Sequence, residues 1–160
     1  MITVTPARPT HAEAIVEIAE EMDRFYGAAE VEPAEIRIRQ IDEALFGSPA
    51  SAYSLLAWDD GKLVGFAAYS FLWPAIGLTR SLYLKELYVS MKARRAGVGK
   101  LLMQHLYDIA VKNDCSRVEW TTDSDNQEAR LFYTELGVPV EESKLFYRIE
   151  GDDLTRFANP

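Results

Sequence analysis

The segment Arg94–Lys100 has the residue types and spacing best suited to bind an anion. It reads Arg-Arg-Ala-Gly-Val-Gly-Lys, so Gly97 and Gly99 allow a ligand to approach the backbone closely. The residues after it predict a helix, whose first N–H groups lack partners and face the same spot. Two arginines and a lysine add positive charge. The segment therefore predicts a cradle for a phosphate or pyrophosphate group.

Three phosphate-binding motifs compete for this segment. A P-loop requires Gly-x-x-x-x-Gly-Lys-Ser/Thr, but Arg94 stands at its first glycine and Leu101 at its hydroxyl position. The dinucleotide fingerprint Gly-x-Gly-x-x-Gly fits Gly97 and Gly99 but meets Leu102 at its third glycine. The pattern Arg/Gln-x-x-Gly-x-Gly/Ala is satisfied in full by Arg94, Gly97 and Gly99.

This third pattern resembles the coenzyme A signature of the GNAT acetyltransferase superfamily. Leu84–Val89 is similar to the family's central strand, and Asn126–Gly137 resembles its later helix motif, Asn-x-x-Ala-x-x-Phe-Tyr-x-x-x-Gly. The resemblance runs over 2–150 and is closest to the spermidine/spermine and thialysine N-acetyltransferase branch. Leu63–Ala67 and Phe146–Ile149 also look like that branch.

The resemblance implies an α/β (α+β) fold in one domain over residues 1–160. Its central sheet is expected to be mixed and mostly antiparallel, with splayed strands flanked by helices. Acetyl-CoA is the implied cosubstrate, and no metal is expected. The implied cofactor-binding residues lie on one strand, the loop after it and a later helix: Leu87, Tyr88, Val89, Arg94, Arg95, Ala96, Gly97, Val98, Gly99, Lys100, Asn126, Ala129 and Tyr133.

The resemblance also implies a mechanism in which an amine attacks the thioester carbonyl directly in a ternary complex. Tyr133 is expected to donate a proton to the departing thiolate, and an unperturbed tyrosine pKa of about 10 suits that role. The attacking ammonium must first lose a proton, and Glu86 is the candidate base or amine-orienting group. Structural roles stay open: Tyr133 as a core aromatic, Asn126 as a helix N-cap, and Glu86 as a surface carboxylate.

Lys85 departs from the polyamine branch, which usually has an acidic pair at the positions of Lys85 and Glu86. A lysine here would repel a polycation, and on an alternating strand it would face away from Glu86. Acidic residues of the first helix, Glu20, Glu21 and Asp23, are candidates to compensate.

Hydrophobic periodicity predicts the element order β-α-α-β-β-β-α-β-α-β. Thr10 and Glu13 predict a capping box for the first helix, and Asp59-Asp60-Gly61 predicts a hairpin turn. The predicted strands are 2–8, Tyr53–Trp58, Leu63–Phe71, Ser81–Val89, Arg117–Thr122 and Lys144–Ile149. The predicted helices run from the Thr10 cap to Gly27, over 33–46, from Val98 to about Asn113, and over Glu128–Leu136.

Composition excludes several classes of protein. Cys115 is the single cysteine, which rules out an intramolecular disulfide, and the two histidines lack metal-ligand spacing. The longest uncharged run, 63–79, is short for a membrane span and contains Gly and Pro. Because the first residues lack a basic stretch followed by an apolar one, we expect a cytoplasmic protein.

The net charge of −8 is unevenly spread. Residues 1–60 hold 12 acidic and 4 basic residues, whereas 61–160 hold 13 of each. An acidic front can attract cationic acceptors, and the absence of a broad basic face argues against nucleic acid as a partner. We therefore expect an acetyltransferase for a small cationic amine: a diamine, a lysine-like amino acid or an amino-bearing antibiotic. The alternatives are a peptide acetyltransferase and a CoA-binding sensor, and the resemblance implies a homodimer.

Overall fold

Five strands form one mixed sheet in the order β1-β2-β3-β4-β5. They are β1 (Ile2–Pro6), β2 (Tyr53–Asp59), β3 (Lys62–Leu72), β4 (Arg80–Val89) and β5 (Cys115–Trp120). The first four pair antiparallel with their neighbours, and β5 joins β4 in parallel. The predicted fold class, an α/β fold with a mixed and mostly antiparallel sheet, is confirmed.

Five α-helices accompany the sheet in this computed structural model, which describes residues 1–159. They are α1 (Ala12–Phe25), α2 (Ala34–Phe46), α3 (Val98–Lys112), α4 (Gln127–Glu135) and α5 (Gly151–Ala158). None of the helices in the described range is long and apolar enough to cross a membrane.

The sheet has apolar side chains on both of its faces. The sequences of β2 and β3 are almost continuously apolar, and successive side chains of a strand point to opposite faces. On one face, Ile15 and Ile18 of α1 pack with Phe66 and Tyr88. On the other, α3 contributes fully buried side chains, among them Leu102. The hairpin between β2 and β3 has the predicted two-residue turn, with positive φ at Asp60 and Gly61.

The described chain divides into two units, the first of which is Met1–Thr121 and contains the whole sheet. The second begins at Thr122 and contains α4 and α5. The prediction of one domain over 1–160 stays a prediction.

Three sequence-based expectations about the elements are wrong. Thr10 does not cap α1: it lies within a short 3-10 turn, Pro9–His11, and α1 begins only at Ala12. Lys144–Ile149 is not a strand, because a strand needs a hydrogen-bonded neighbour and this segment is paired with none of the five strands. The helix α5 was not predicted, so the order ends in two helices rather than in a helix and a strand.

Candidate active site

Strand β4 loses one of its two neighbours halfway along its length. Its pairing with β5 runs from Arg80 to Leu84, which lies opposite Trp120, while its pairing with β3 continues to Val89. In the described chain, the residue pairing of β4 with β5 extends no further than Leu84. A strand edge beyond such a point offers N–H and C=O groups to an extended ligand, and this is the splay that the family resemblance implies.

A β-bulge interrupts β4 at Lys85. Glu86 lies opposite Ala68, but the next residue of β3, Tyr69, lies opposite Leu84, so Lys85 is the extra residue. Strict alternation ends at this point, and the expectation that Lys85 and Glu86 face opposite sides loses its basis. Lys85 is exposed, and Glu86 is half-buried.

The backbone after β4 forms an open concave turn that leads into α3. Arg95 and Gly97 both have positive φ, 64° and 81°. A Cβ atom on Gly97 would meet nothing within 4 Å, so the backbone is open on that side. The first N–H of α3 to find a helical acceptor is that of Leu101, which donates to the Gly97 carbonyl at 3.0 Å. The first turn of a helix leaves N–H groups without helical acceptors, so a helix start after this open backbone fits a pyrophosphate.

A glycine on β3 fixes the position of this helix end. A Cβ on Gly65 would lie 3.1 Å from both the Tyr88 carbonyl oxygen and Cγ1 of Val98, the first residue of α3. Val98 is 1% exposed. The start of α3 is therefore packed directly against the sheet, and the sequence pattern of the loop alone did not indicate this contact.

Of the three basic residues in the segment Arg94–Lys100, one contacts the protein and stabilises the loop, and two are exposed. Arg94 Nε donates to the Val89 carbonyl at 3.0 Å, and its guanidinium lies 4.5 Å from the centre of the Phe25 ring. Arg95 and Lys100 are exposed and available to add charge.

Tyr88 places its side chain in the core, so any contact with a cofactor would come from its backbone. The side chain is 2% exposed, and its hydroxyl donates to Glu21 Oε1 at 3.0 Å. Burial, together with the hydrogen bond to Glu21, raises the pKa of Tyr88 to about 12, so the hydroxyl remains a donor.

The acidic residues of α1 that the sequence offers as amine partners are engaged in contacts within the protein. Glu20 pairs with Arg24 at 2.9 Å, and Asp23 pairs with Arg37 of α2. Glu21 is held by Tyr88 at the end of β4 and by Met91 in the turn after it. The expected compensation for Lys85 therefore finds no support in these three carboxylates.

The second unit contains the remaining predicted site residues, all on α4. Asn126 caps this helix, since its side-chain oxygen accepts the Ala129 N–H at 3.1 Å. Tyr133 is half-buried, and its ring lies 5.1 Å from that of Phe132. The N-cap role of Asn126 is thus confirmed, and the cofactor roles of Asn126, Ala129 and Tyr133 stay predictions.

Comparison with known proteins gives relatives that acetylate amines. The D-amino-acid N-acetyltransferase HPA3 of Saccharomyces cerevisiae is 32% identical over 101 residues, which cover 62% of this chain and 62% of HPA3. The L-ornithine N5-acetyltransferase NATA1 of Arabidopsis thaliana is 30% identical over 96 residues, covering 60% of this chain and 42% of NATA1. The matches thus span less than two thirds of either relative.

Solved structures share the fold. An integron cassette protein, VCH_CASS6, from the mobile metagenome of V. cholerae is 30% identical, with a TM-score of 0.92 over 99% of this chain and 98% of that one. The aminoglycoside N-acetyltransferase AAC(6')-Iy, solved in complex with CoA, has a TM-score of 0.76 at 21% identity, over 94% of this chain and 96% of its own.

The family model for the acetyltransferase (GNAT) family matches residues 14–138, a span that includes the splayed strand, the open turn and α4. This agrees with the predicted class of enzyme, an acyltransferase, in a family that uses acetyl-CoA. The chain belongs to the acetyltransferase (GNAT) family.

Proposed function

We propose that this protein is an acetyl-CoA-dependent N-acetyltransferase that acts on a primary amine of a small cationic molecule. The observation that carries the proposal is the open turn at Gly97, which follows the one-sided stretch 85–89 and leads into the N-terminus of α3. An anion-binding helix end beside a free strand edge suits a ligand with a pyrophosphate and an amide-containing arm.

Binding is assigned to backbone groups in this proposal. The N–H groups at the start of α3 hold the pyrophosphate, with added charge from Arg95 and Lys100. The edge of β4 that faces away from β3, at Leu87 and at the Val89 N–H, pairs with the amides of the pantetheine arm; the Val89 carbonyl already accepts Arg94 Nε. Acetyl-CoA, when bound, supplies the acetyl group as a thioester.

Two side chains are proposed to move protons. Glu86, next to the bulge, orients the acceptor amine or accepts its proton, which must leave before the nitrogen can attack. Tyr133 donates a proton to the sulfur of the leaving group. Transfer is direct, within a ternary complex and without a covalent enzyme intermediate.

The acceptor is proposed to be a small amine with a charge pattern different from that of a polyamine. The exposed Lys85 disfavours a polycation at this position. HPA3 and NATA1 are named as acetyltransferases of amino acids. An amino acid carries a carboxylate beside its amine, so a lysine-like amino acid suits Lys85 better than spermidine does.

Location and assembly are also part of the proposal. A cytoplasmic homodimer is what the resemblance to the spermidine/spermine and thialysine branch supports. Light scattering at micromolar concentration should give the dimer mass. A monomer mass would contradict the proposed homodimer and leave the proposed activity unaffected.

A panel of amines tests the proposed function. Purified protein with acetyl-CoA should release CoA in the presence of a lysine-like amino acid, and less with spermidine, aminoglycosides or basic peptides. Clear preference for polyamines would refute the role given to Lys85. Binding of CoA without turnover on any amine would favour the sensor alternative.

Tyr133→Phe tests the proton donor. The change should lower kcat by about 10- to 100-fold, since a positioned general acid contributes at least that much, and it should leave CoA binding nearly intact. The matched control is Tyr147→Phe, the same change at a tyrosine that is 85% exposed in the second unit. Unchanged turnover of Tyr133→Phe would eliminate its proposed role.

A further inference from the structure

Glu21 connects α1 to the end of β4 and the turn after it. Its Oε1 accepts the Tyr88 hydroxyl at 3.0 Å and the Met91 N–H at 3.3 Å. Ser90, between these two residues, helps to lower the pKa of the Glu21 carboxyl. One carboxylate thus holds two groups within four consecutive residues, 67 and 70 positions further along the chain.

The residues held by Glu21 lead directly into the cofactor turn. Ser90 is buried and donates its N–H to the Val64 carbonyl at 2.9 Å, so it is fixed to β3 as well. Met91 begins the short 3-10 turn Met91–Ala93, which precedes the positive-φ residues Arg95 and Gly97.

A second contact from α1 acts at the same place. Phe25, one helical turn after Glu21, lies under the Arg94 guanidinium at 4.5 Å. Arg94 also donates to the Val89 carbonyl. The turn is therefore held from α1 at two successive positions of one helix face.

We propose that Glu21 is a positioning residue for acetyl-CoA binding: its carboxylate, through Tyr88 and Met91, holds the turn 91–97 in the shape that presents its backbone N–H groups to the pyrophosphate. The inference rests on the proposed function, because it assigns the turn to the cofactor. A carboxylate suits the task because it accepts several hydrogen bonds at once, and bonds to an ionised acceptor are stronger than neutral ones.

Glu21→Gln tests the proposal, with Glu17→Gln as the matched control. Glu17 lies one turn earlier on α1 and is exposed, so both variants lose one negative charge from the same helix. Calorimetry should show a Kd for CoA about tenfold higher in Glu21→Gln. The KM for acetyl-CoA should rise in parallel, whereas kcat and the KM for the amine stay within about twofold of the wild type. Glu17→Gln should match the wild type.

Tyr88→Phe provides a second variant that keeps the core ring and removes one of the two donors. It should raise the Kd for CoA in the same direction, by about threefold. Combined with Glu21→Gln, it should add less than its separate effect, because both changes break the same contact.

The outcomes separate this inference from the proposed function. Wild-type protein that fails to bind CoA would overturn the proposed function and this inference with it. Wild-type binding with an unchanged Kd in Glu21→Gln would overturn only the inference. A fall in thermal stability with no change in Kd would show a purely structural role, and a rise in the amine KM alone would place Glu21 in the acceptor site; either result contradicts the proposal.

Discussion

The two halves of β4 have different neighbours although they belong to one strand. Arg80–Leu84 lies between β3 and β5, and its Leu82 and Leu84 are buried. Lys85–Val89 has β3 on one side only, begins with a bulge and contains half-buried residues such as Leu87. The first half is core, and the second is a core strand on one edge and the proposed cofactor-binding surface on the other.

This difference would let one strand serve both stability and the proposed cofactor binding. Pairing with β3 and β5 holds the first half of β4 in place on both edges. The turn after β4 is positioned by the same strand. The bulge separates the halves, so residues after Lys85 follow a new alternation. Substitutions in the two halves should therefore have different consequences.

The largest expected effect is on stability, in the first half. Leu84→Ala leaves a cavity at a residue that is 2% exposed and should lower the free energy of unfolding by about 2–5 kcal/mol. Leu87→Ala, the same change in the second half, should cost about half as much or less, because Leu87 is only half-buried. Urea denaturation of both variants measures the difference, and equal losses would break the comparison.

The next effect is on cofactor affinity, at the turn beyond the second half. Gly97→Glu places a carboxylate beside the proposed pyrophosphate site and should weaken CoA binding at least about 100-fold. Gly61→Glu controls for backbone strain, since Gly61 has nearly the same φ, 80° against 81°, and the same open surroundings in the hairpin turn. If both variants bind CoA alike, the cradle is not at Gly97.

A smaller effect concerns the boundary between the halves. Lys85→Glu replaces the cation at the bulge with an anion, which should lower the KM for a diamine by about three- to tenfold and raise it for a lysine-like amino acid. Lys92→Glu makes the same charge change at an exposed residue of the 3-10 turn and serves as the control. Steady-state kinetics gives the KM for both acceptors. If the ratio of these two KM values is the same in Lys85→Glu as in the wild type, the assignment is wrong.

The smallest effect is the pH dependence of the contact between the second half and α1. Burial raises the pKa of Glu21, but hydrogen bonds from Ser90, Tyr88 and Met91 outweigh it, so the pKa lies below its ordinary value of 4.5. Such a group stabilises the folded state above pH 4.5, and this contribution is lost as the pH falls through the lowered pKa. Because Glu21 is largely exposed, the Tm should change by only about 2 °C or less. Glu21→Gln should lose this acid-side slope in a thermal scan, and an unchanged slope would contradict the assignment.

Local patterns in the sequence were sufficient for most of the fold. Alternation and turn residues predict β2, β3 and the hairpin at Asp60-Gly61, and the glycines at 97 and 99 predict the open turn. These features depend on residues close together in the chain. Loop and helix positions in the family motif then locate the candidate site.

The wrong or missing parts depend on contacts between distant residues. Alternation at 144–149 predicts a strand, but pairing depends on a partner that the local pattern does not contain. The bulge at Lys85 is defined by its register against Ala68 and Tyr69 of another strand. Glu21 was considered as an amine partner because its charge is visible in the sequence, whereas its contact with Tyr88 spans 67 residues.

Gly65 makes this scaffold sensitive to very small changes in side-chain volume. The space between β3 and the start of α3 is smaller than one methyl group, so even alanine at 65 must move Val98 or the Tyr88 carbonyl by a few tenths of an ångström. A displacement of Val98 moves the first turn of α3, and cofactor affinity would report it. For anyone engineering this protein, position 65 therefore adjusts the proposed cofactor site indirectly, by shifting Val98 or the Tyr88 carbonyl.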